Sequence, residues 1–121
     1  MPGTALIVDD EEIVRNYVRR ALASRGWTVL ERSDGASAVS LAGKEEFDLL
    51  ICDLKMPDMR GEEAIRRIRE LRPSVRIIVI TGSVSNLSGS PVSGMSISGY
   101  LIKPFGIDEI RDLAEKALSG K

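Results

Sequence analysis

Leu49-Leu50-Ile51-Cys52-Asp53 is an unbroken apolar run with a carboxylate at its end. A strand wetted on one face alternates apolar and polar residues, whereas a strand that is apolar at every position is buried on both faces, as in a parallel sheet covered by helices. A similar run precedes it at Thr4-Ala5-Leu6-Ile7-Val8, which leads into Asp9-Asp10, and another follows within residues 75–80 as Ile77-Ile78-Val79-Ile80, which ends at Thr81-Gly82. Residues 28–31 and the short run 99–102 before Lys103-Pro104 complete five strand-like segments.

Helical spacing fills the intervals. Residues 11–25 carry Ile13, Val14, Tyr17, Val18, Ala21 and Leu22 on one expected face, with Asp10 as the expected cap, Glu11 and Glu12 in the first turn and Gly26 as the stop. Ser33-Asp34-Gly35 reads as a turn into a modest helix at 36–42, stopped by Gly43. Residues 54–60 form a loop containing Pro57, and residues 61–72 a helix with the stripe Ala64, Ile65, Ile68 and Leu71, ended by Pro73. Residues 107–118 close the chain with Ile107, Ile110, Leu113, Ala114 and Ala117 on one face. Strands alternating with helices of this length imply βαβ units and a doubly wound α/β domain with a five-stranded parallel sheet. Right-handed crossovers put the carboxyl ends of all its strands on one edge.

One interval departs from the pattern. Alternation requires a further helix between the last two strands, giving about five helices, yet residues 83–98 hold serines at 83, 85, 88, 90, 93, 96 and 98 together with Gly89, Pro91 and Gly94. Such composition predicts a loop or an irregular fourth helix. The four-arginine group Arg66, Arg67, Arg69 and Arg72 is interleaved with apolar residues and reads as a solvated helix face. Trp27 is expected to cover the end of the first helix, and Cys52 to be a small core residue.

Composition narrows the chemistry. The chain has 121 residues, 17 basic against 18 acidic, one cysteine and no histidine. Its length suits a single domain over residues 1–121, with a core at about 4–118. A lone cysteine rules out an internal disulfide framework, and the missing histidine rules out histidine bases, histidine metal sites and a phosphohistidine carrier. Near-neutral charge offers no broad footprint for nucleic acid. The run Ile77-Ile78-Val79-Ile80 is far too short for a membrane span, and Met1-Pro2-Gly3 leads directly into a strand, so a cytoplasmic domain without a signal peptide is expected.

Ligands of open α/β sheets bind beyond the carboxyl ends of the strands. Topology alone puts Asp9, Asp10, Asp53, Thr81 and Lys103 there. Two carboxylates ~5 Å apart repel by roughly 3 kcal/mol at an effective dielectric near 20. A bound cation relieves that repulsion, and oxygen-only ligation suits Mg²⁺, with Mn²⁺ as the alternative. The lysine and threonine supply a positive charge and a hydroxyl for a phosphoryl group, and Asp53 is placed as a nucleophilic carboxylate.

Leu6-Ile7-Val8-Asp9-Asp10-Glu11, Leu50-Ile51-Cys52-Asp53-Leu54-Lys55-Met56-Pro57-Asp58-Met59-Arg60-Gly61, Ile80-Thr81-Gly82 and Tyr100-Leu101-Ile102-Lys103-Pro104-Phe105 resemble the signatures of the CheY-like response-regulator receiver domains of two-component signalling. Ser33-Asp34-Gly35 matches a frequent receiver turn, and the resemblance spans about residues 4–118. It implies a flavodoxin-like fold with strand order 2-1-3-4-5. It implies Mg²⁺-dependent phosphorylation of Asp53 from a partner phosphohistidine, on a histidine kinase or a histidine phosphotransfer protein, to switch an effector-binding surface. Asp9, Asp10, Asp53 and the backbone carbonyl of Lys55 would hold the metal. Thr81 and Lys103 would bind the phosphoryl group, with Thr81 and Tyr100 as the switch pair. Lys55 and Ser83 would tune the rate of dephosphorylation. The bond before Pro104 is a candidate cis peptide.

The resemblance implies no conventional turnover enzyme, no direct nucleic-acid or membrane partner, and leaves dimerisation and the downstream effector open. Two other classes fit the residues less well. A phosphatase with an aspartyl nucleophile commonly has Asp-x-Asp after its first strand, where this chain has Asp9-Asp10-Glu11. A flavin-binding protein needs a hydroxyl-rich loop there, which the acidic run opposes.

Overall fold

The structure is a computed structural model that describes residues 3–82 and 95–119. Its elements are β1 (Thr4–Val8), α1 (Glu12–Ala23), β2 (Thr28–Arg32), α2 (Gly35–Ala42), β3 (Leu49–Asp53), α3 (Gly61–Leu71), β4 (Arg76–Thr81), β5 (Gly99–Ile102) and α4 (Ile107–Ser119). The strands form one sheet in the order β2-β1-β3-β4-β5, parallel at every pairing. Four helices lie among the described residues, against about five expected. The interval of the remaining one, 83–94, and with it most of the predicted irregular segment, lies outside them.

Strand alternation divides the core in two. Ala5, Ile7, Leu49, Ile51, Ile78 and Ile80 point to one face, where Val18, Ala21 and Leu22 of α1 and Ile110, Ala114 and Ala117 of α4 cover them. Leu6, Val8, Leu50, Cys52, Ile77 and Val79 point to the other, beneath Ala38, Leu41 and Ala42 of α2 and Ile65 and Ile68 of α3. Every residue of β3 is buried. That is why its sequence is apolar throughout, and truncating any one of its branched side chains to alanine should cost about 2–5 kcal/mol. Trp27 is buried against the end of α1, where Gly26 turns the chain with φ 91°, a conformation glycine adopts without strain.

The apolar spacing of the helices is wider than their buried faces. Ile13 is 83 % exposed, and Tyr17, Leu71 and Ile107 are also exposed. Period identifies a helix but does not say how far its neighbours extend over it. The arginine group of α3 is not a uniformly solvated face either. Arg66 and Arg67 are exposed, but Arg69 Nη2 donates to the carbonyl of Ser96 at 2.8 Å and Arg72 Nε to that of Ala42 at 2.9 Å. A long guanidinium stem lets a helix-surface residue satisfy loop carbonyls beyond its own element.

Candidate functional site

Register brings the polar residues to one edge. Val8 pairs with Cys52, Asp53 with Ile80, and Thr81 with Ile102. The next residues of β1 and β5 are therefore Asp9 and, after Ile102, Lys103. Asp10, Glu11, Asp53, Lys55, Thr81 and Lys103 line one open cleft. Carboxylate oxygens of Asp9, Asp10 and Asp53 all lie within 4.8 Å of one another.

Asp9 is fully buried, whereas Asp10 is exposed. Asp10 does not cap α1 as expected: the residue before the helix is Glu11, which makes no side-chain capping bond, and its own N–H donates to Asp9 Oδ1 at 2.8 Å. Asp9 directly follows the buried strand β1 and stays buried, whereas Asp10, one residue further on, is exposed. The other oxygen, Asp9 Oδ2, is buried without a hydrogen-bond donor. Burial pushes the Asp9 carboxyl up to about 7; the Glu11 N–H opposes this, the neighbouring Asp53 carboxylate adds to it, and Lys103 offsets part.

Asp53 is buried at the end of β3. Its Oδ1 accepts the Lys55 N–H at 3.0 Å, and its Oδ2 accepts from Lys103 Nζ at 3.0 Å. Lys103 Nζ also donates to Glu11 Oε1 at 3.0 Å and lies 3.8 Å from Asp9 Oδ2. Partial burial pulls the Lys103 ammonium down, but Glu11, Asp53 and Asp9 together outweigh it and hold the group above the ordinary lysine range. The peptide bond before Pro104, the candidate for a cis bond, is cis. Thr81 is buried at the end of β4 and lines the cleft. Tyr100 lies on β5 opposite Val79, exposed and outside the cleft lining. Ser83, expected to tune dephosphorylation, lies outside the described residues.

Three aspartates converge at the floor of the cleft, with Lys103 as the one cation among the described residues bonded to them. At 4.8 Å a carboxylate pair repels by about 3.5 kcal/mol at an effective dielectric near 20. The orphaned Asp9 Oδ2, the close triad and the absence of nitrogen or sulfur donors in the triad fit a hard divalent cation such as Mg²⁺.

Two positioning contacts had no legible signal in the sequence. Asp58, in the loop after β3, accepts the N–H groups of Gly35 at 2.9 Å and Ala36 at 2.8 Å, tying that loop to the start of α2. These bonds hold its carboxyl below the ordinary range, Gly35 contributing most. Gly61, which opens α3, stands so close to the strand end that an added Cβ would lie 2.4 Å from the Asp53 carbonyl oxygen and 2.6 Å from Leu54 Cα.

Residues 5–115 match the family model described as the response regulator receiver domain. Sporulation initiation phosphotransferase F of Bacillus subtilis is 32 % identical over 115 residues, covering 93 % of this chain and 91 % of that protein. The probable transcriptional regulatory protein TcrX of Mycobacterium tuberculosis is 31 % identical over 111 residues, 90 % of this chain and 47 % of that protein. The sensor kinase CckA of Brucella abortus is 31 % identical over 96 % of this chain and 12 % of its own length. The chain thus spans about half or less of several relatives it matches. Among solved structures, chemotaxis response regulator CheY4 of Vibrio cholerae superposes with TM-score 0.88 at 27 % identity, over 97 % of this chain and 99 % of that one. The receiver domain of the sensor histidine kinase PA1611 of Pseudomonas aeruginosa, solved with a magnesium ion coordinated in its active-site cleft, superposes with TM-score 0.88 at 25 % identity, over 99 % of this chain and all of that one.

Proposed function

This chain belongs to the response regulator receiver domain family, and on that premise we propose that residues 1–121 act as a single Mg²⁺-dependent phosphoacceptor whose nucleophile is Asp53. The observation that carries the reading is the convergence of Asp9, Asp10 and Asp53 with Lys103 at one sheet edge, Lys103 Nζ hydrogen-bonded to Asp53 Oδ2 at 3.0 Å.

When bound, Mg²⁺ would neutralise the carboxylates and the incoming phosphoryl oxygens. Asp9 and Asp10 would hold it together with Asp53 and the carbonyl of Lys55. The Asp53 carboxylate forms a new O–P bond while the donor's bond to phosphorus breaks and the leaving group departs with that electron pair. From an acyl phosphate the leaving group is a carboxylate, and no proton needs to move. Lys103 supplies a fixed positive point for phosphoryl oxygens, and Thr81 a hydroxyl. Asp53 is almost fully buried yet lines the open cleft, so a small phosphoryl donor can reach its carboxylate.

The natural donor is a phosphohistidine on a histidine kinase or phosphotransfer protein in the cytoplasm. The phosphoryl group adds about −1.5 to −2 charge, enough to bias Thr81 and Tyr100 between two arrangements and to change an effector-binding surface. Lys55 remains a candidate for tuning hydrolysis. The chain assists its own phosphorylation and dephosphorylation rather than turning over a separate substrate.

The test is intact-mass analysis after incubation with acetyl phosphate and Mg²⁺. One phosphoryl group should be added to the native chain and none to Asp53→Asn. Equal incorporation into both would remove the assignment, and incorporation unaffected by a chelator would remove the metal from it.

A further inference from the structure

The Lys103 ammonium has three N–H donors, and the structure divides them. Asp53 Oδ2 accepts at 3.0 Å from inside the cleft. Glu11 Oε1 accepts at 3.0 Å from its mouth. The two acceptors differ in setting: the Asp53 side chain is 7 % exposed and that of Glu11 60 %. Glu11 is nevertheless not a loosely placed surface acid. Its N–H is fixed by the buried Asp9 Oδ1, and its carbonyl accepts the Arg15 N–H at 3.1 Å in the first turn of α1. Its backbone is thus anchored at the acid cluster, while its carboxylate reaches the lysine through solvent-exposed methylenes.

That arrangement sets up a competition. Before phosphorylation, Asp53 and Glu11 each present one negative charge to the same ammonium. During phosphoryl transfer the charge on the Asp53 side grows, and the lysine must follow it. A carboxylate holding the ammonium from the mouth opposes that movement, and it also stands in the path of an anionic donor. We propose that Glu11 is a positioning residue that holds Lys103 at the mouth of the cleft and competes with the incoming phosphoryl group for its ammonium. This rests on the receiver reading above and extends it to a residue outside the acid triad. An exposed ion pair of this kind has a small effect, corresponding to a change of about two- to five-fold in rate.

The experiment is the second-order rate constant for acetyl phosphate labelling of the full chain with saturating Mg²⁺, compared among native protein, Glu11→Gln, Glu11→Ala and Glu12→Gln. Glu12 is an exposed acid one residue further on and does not line the cleft, so its variant measures loss of one nearby charge alone. Both Glu11 variants should label about two- to five-fold faster than native, and faster than Glu12→Gln. In a Lys103→Met background, Glu11→Gln should add no more than Glu12→Gln does, because the proposed effect passes through the lysine. Native-like Trp27 fluorescence checks that each variant is folded.

The proposal is overturned if the Glu11 variants label no faster than native protein. It is also overturned if Glu12→Gln gives the same gain, or if the excess survives in Lys103→Met. Failure of the native chain itself to label would bring down the receiver reading, and that outcome is visible in the native arm alone.

Discussion

Replacing Asp9 by asparagine should make the metal-free protein more stable. The Asp9 carboxyl is raised by burial from 3.8 to about 7. A raised carboxyl pKa means that the folded chain holds a proton the unfolded chain has released, so stability falls as pH rises from about 4 to 7 and stays low above that. At about 1.4 kcal/mol per pH unit, the full cost of an ionised Asp9 near pH 8 is about 4 kcal/mol. Asparagine is neutral, fills nearly the same space and still offers an oxygen to the Glu11 N–H. The stronger bond that a carboxylate accepts from the Glu11 N–H is already counted in that net cost, so Asp9→Asn should gain up to about 4 kcal/mol near pH 8. Near pH 5 the folded Asp9 is already protonated while the unfolded one is still mostly ionised, so about two pH units of the cost are recovered and the gain should fall to about 1.5 kcal/mol.

Urea unfolding followed by Trp27, the only tryptophan and buried in the core, measures this in chelator at both pH values. Adding Mg²⁺ supplies the complementary arm. At tenfold excess over its dissociation constant a ligand stabilises by about 1.4 kcal/mol, and native protein should gain this while Asp9→Asn gains little. A variant no more stable than native at pH 8, or equally stabilised at pH 5, would refute the argument that buried negative charge is what the site costs.

Asp58→Asn should lower the urea midpoint near neutral pH. The carboxylate that binds Gly35 and Ala36 has a depressed pKa, so its stabilisation exists above the unfolded value and is lost as pH falls through the folded one. The difference between native and variant should therefore close in acid, below about pH 4. Gly61→Ala should cost about 1–3 kcal/mol, because its Cβ meets backbone atoms of Asp53 and Leu54; it should also slow labelling of Asp53, and a folded variant of native stability and rate would contradict that close approach.

The sheet was legible because strands buried on both faces leave uninterrupted apolar runs. Once Asp9, Asp53, Thr81 and Lys103 fall at strand ends, parallel topology alone collects them. Finer points depended on geometry that composition does not encode. Whether Asp9 or Asp10 stays buried depends on where the chain leaves the sheet after β1. The exposure of Ile13 depends on how far neighbouring elements extend over α1. Arg69, Arg72 and Asp58 act through hydrogen bonds to backbone groups 22–30 residues away in sequence, and backbone acceptors and donors are the same at every position. Glu11 read as a favourable first-turn charge, since its partner Lys103 lies 92 residues away.

The buried thiol beside the phosphoacceptor has a practical consequence. Cys52 is the only cysteine in the sequence, it is fully buried, and burial pushes its thiol far above the ordinary range, with the Asp53 charge adding to it. Alkylating reagents attack thiolates, so Cys52 is silent while β3 stays in the sheet. Its rate of modification then becomes a stopwatch for the opening of the very strand that carries Asp53. Each variant discussed above carries that stopwatch already, without a tag or a label.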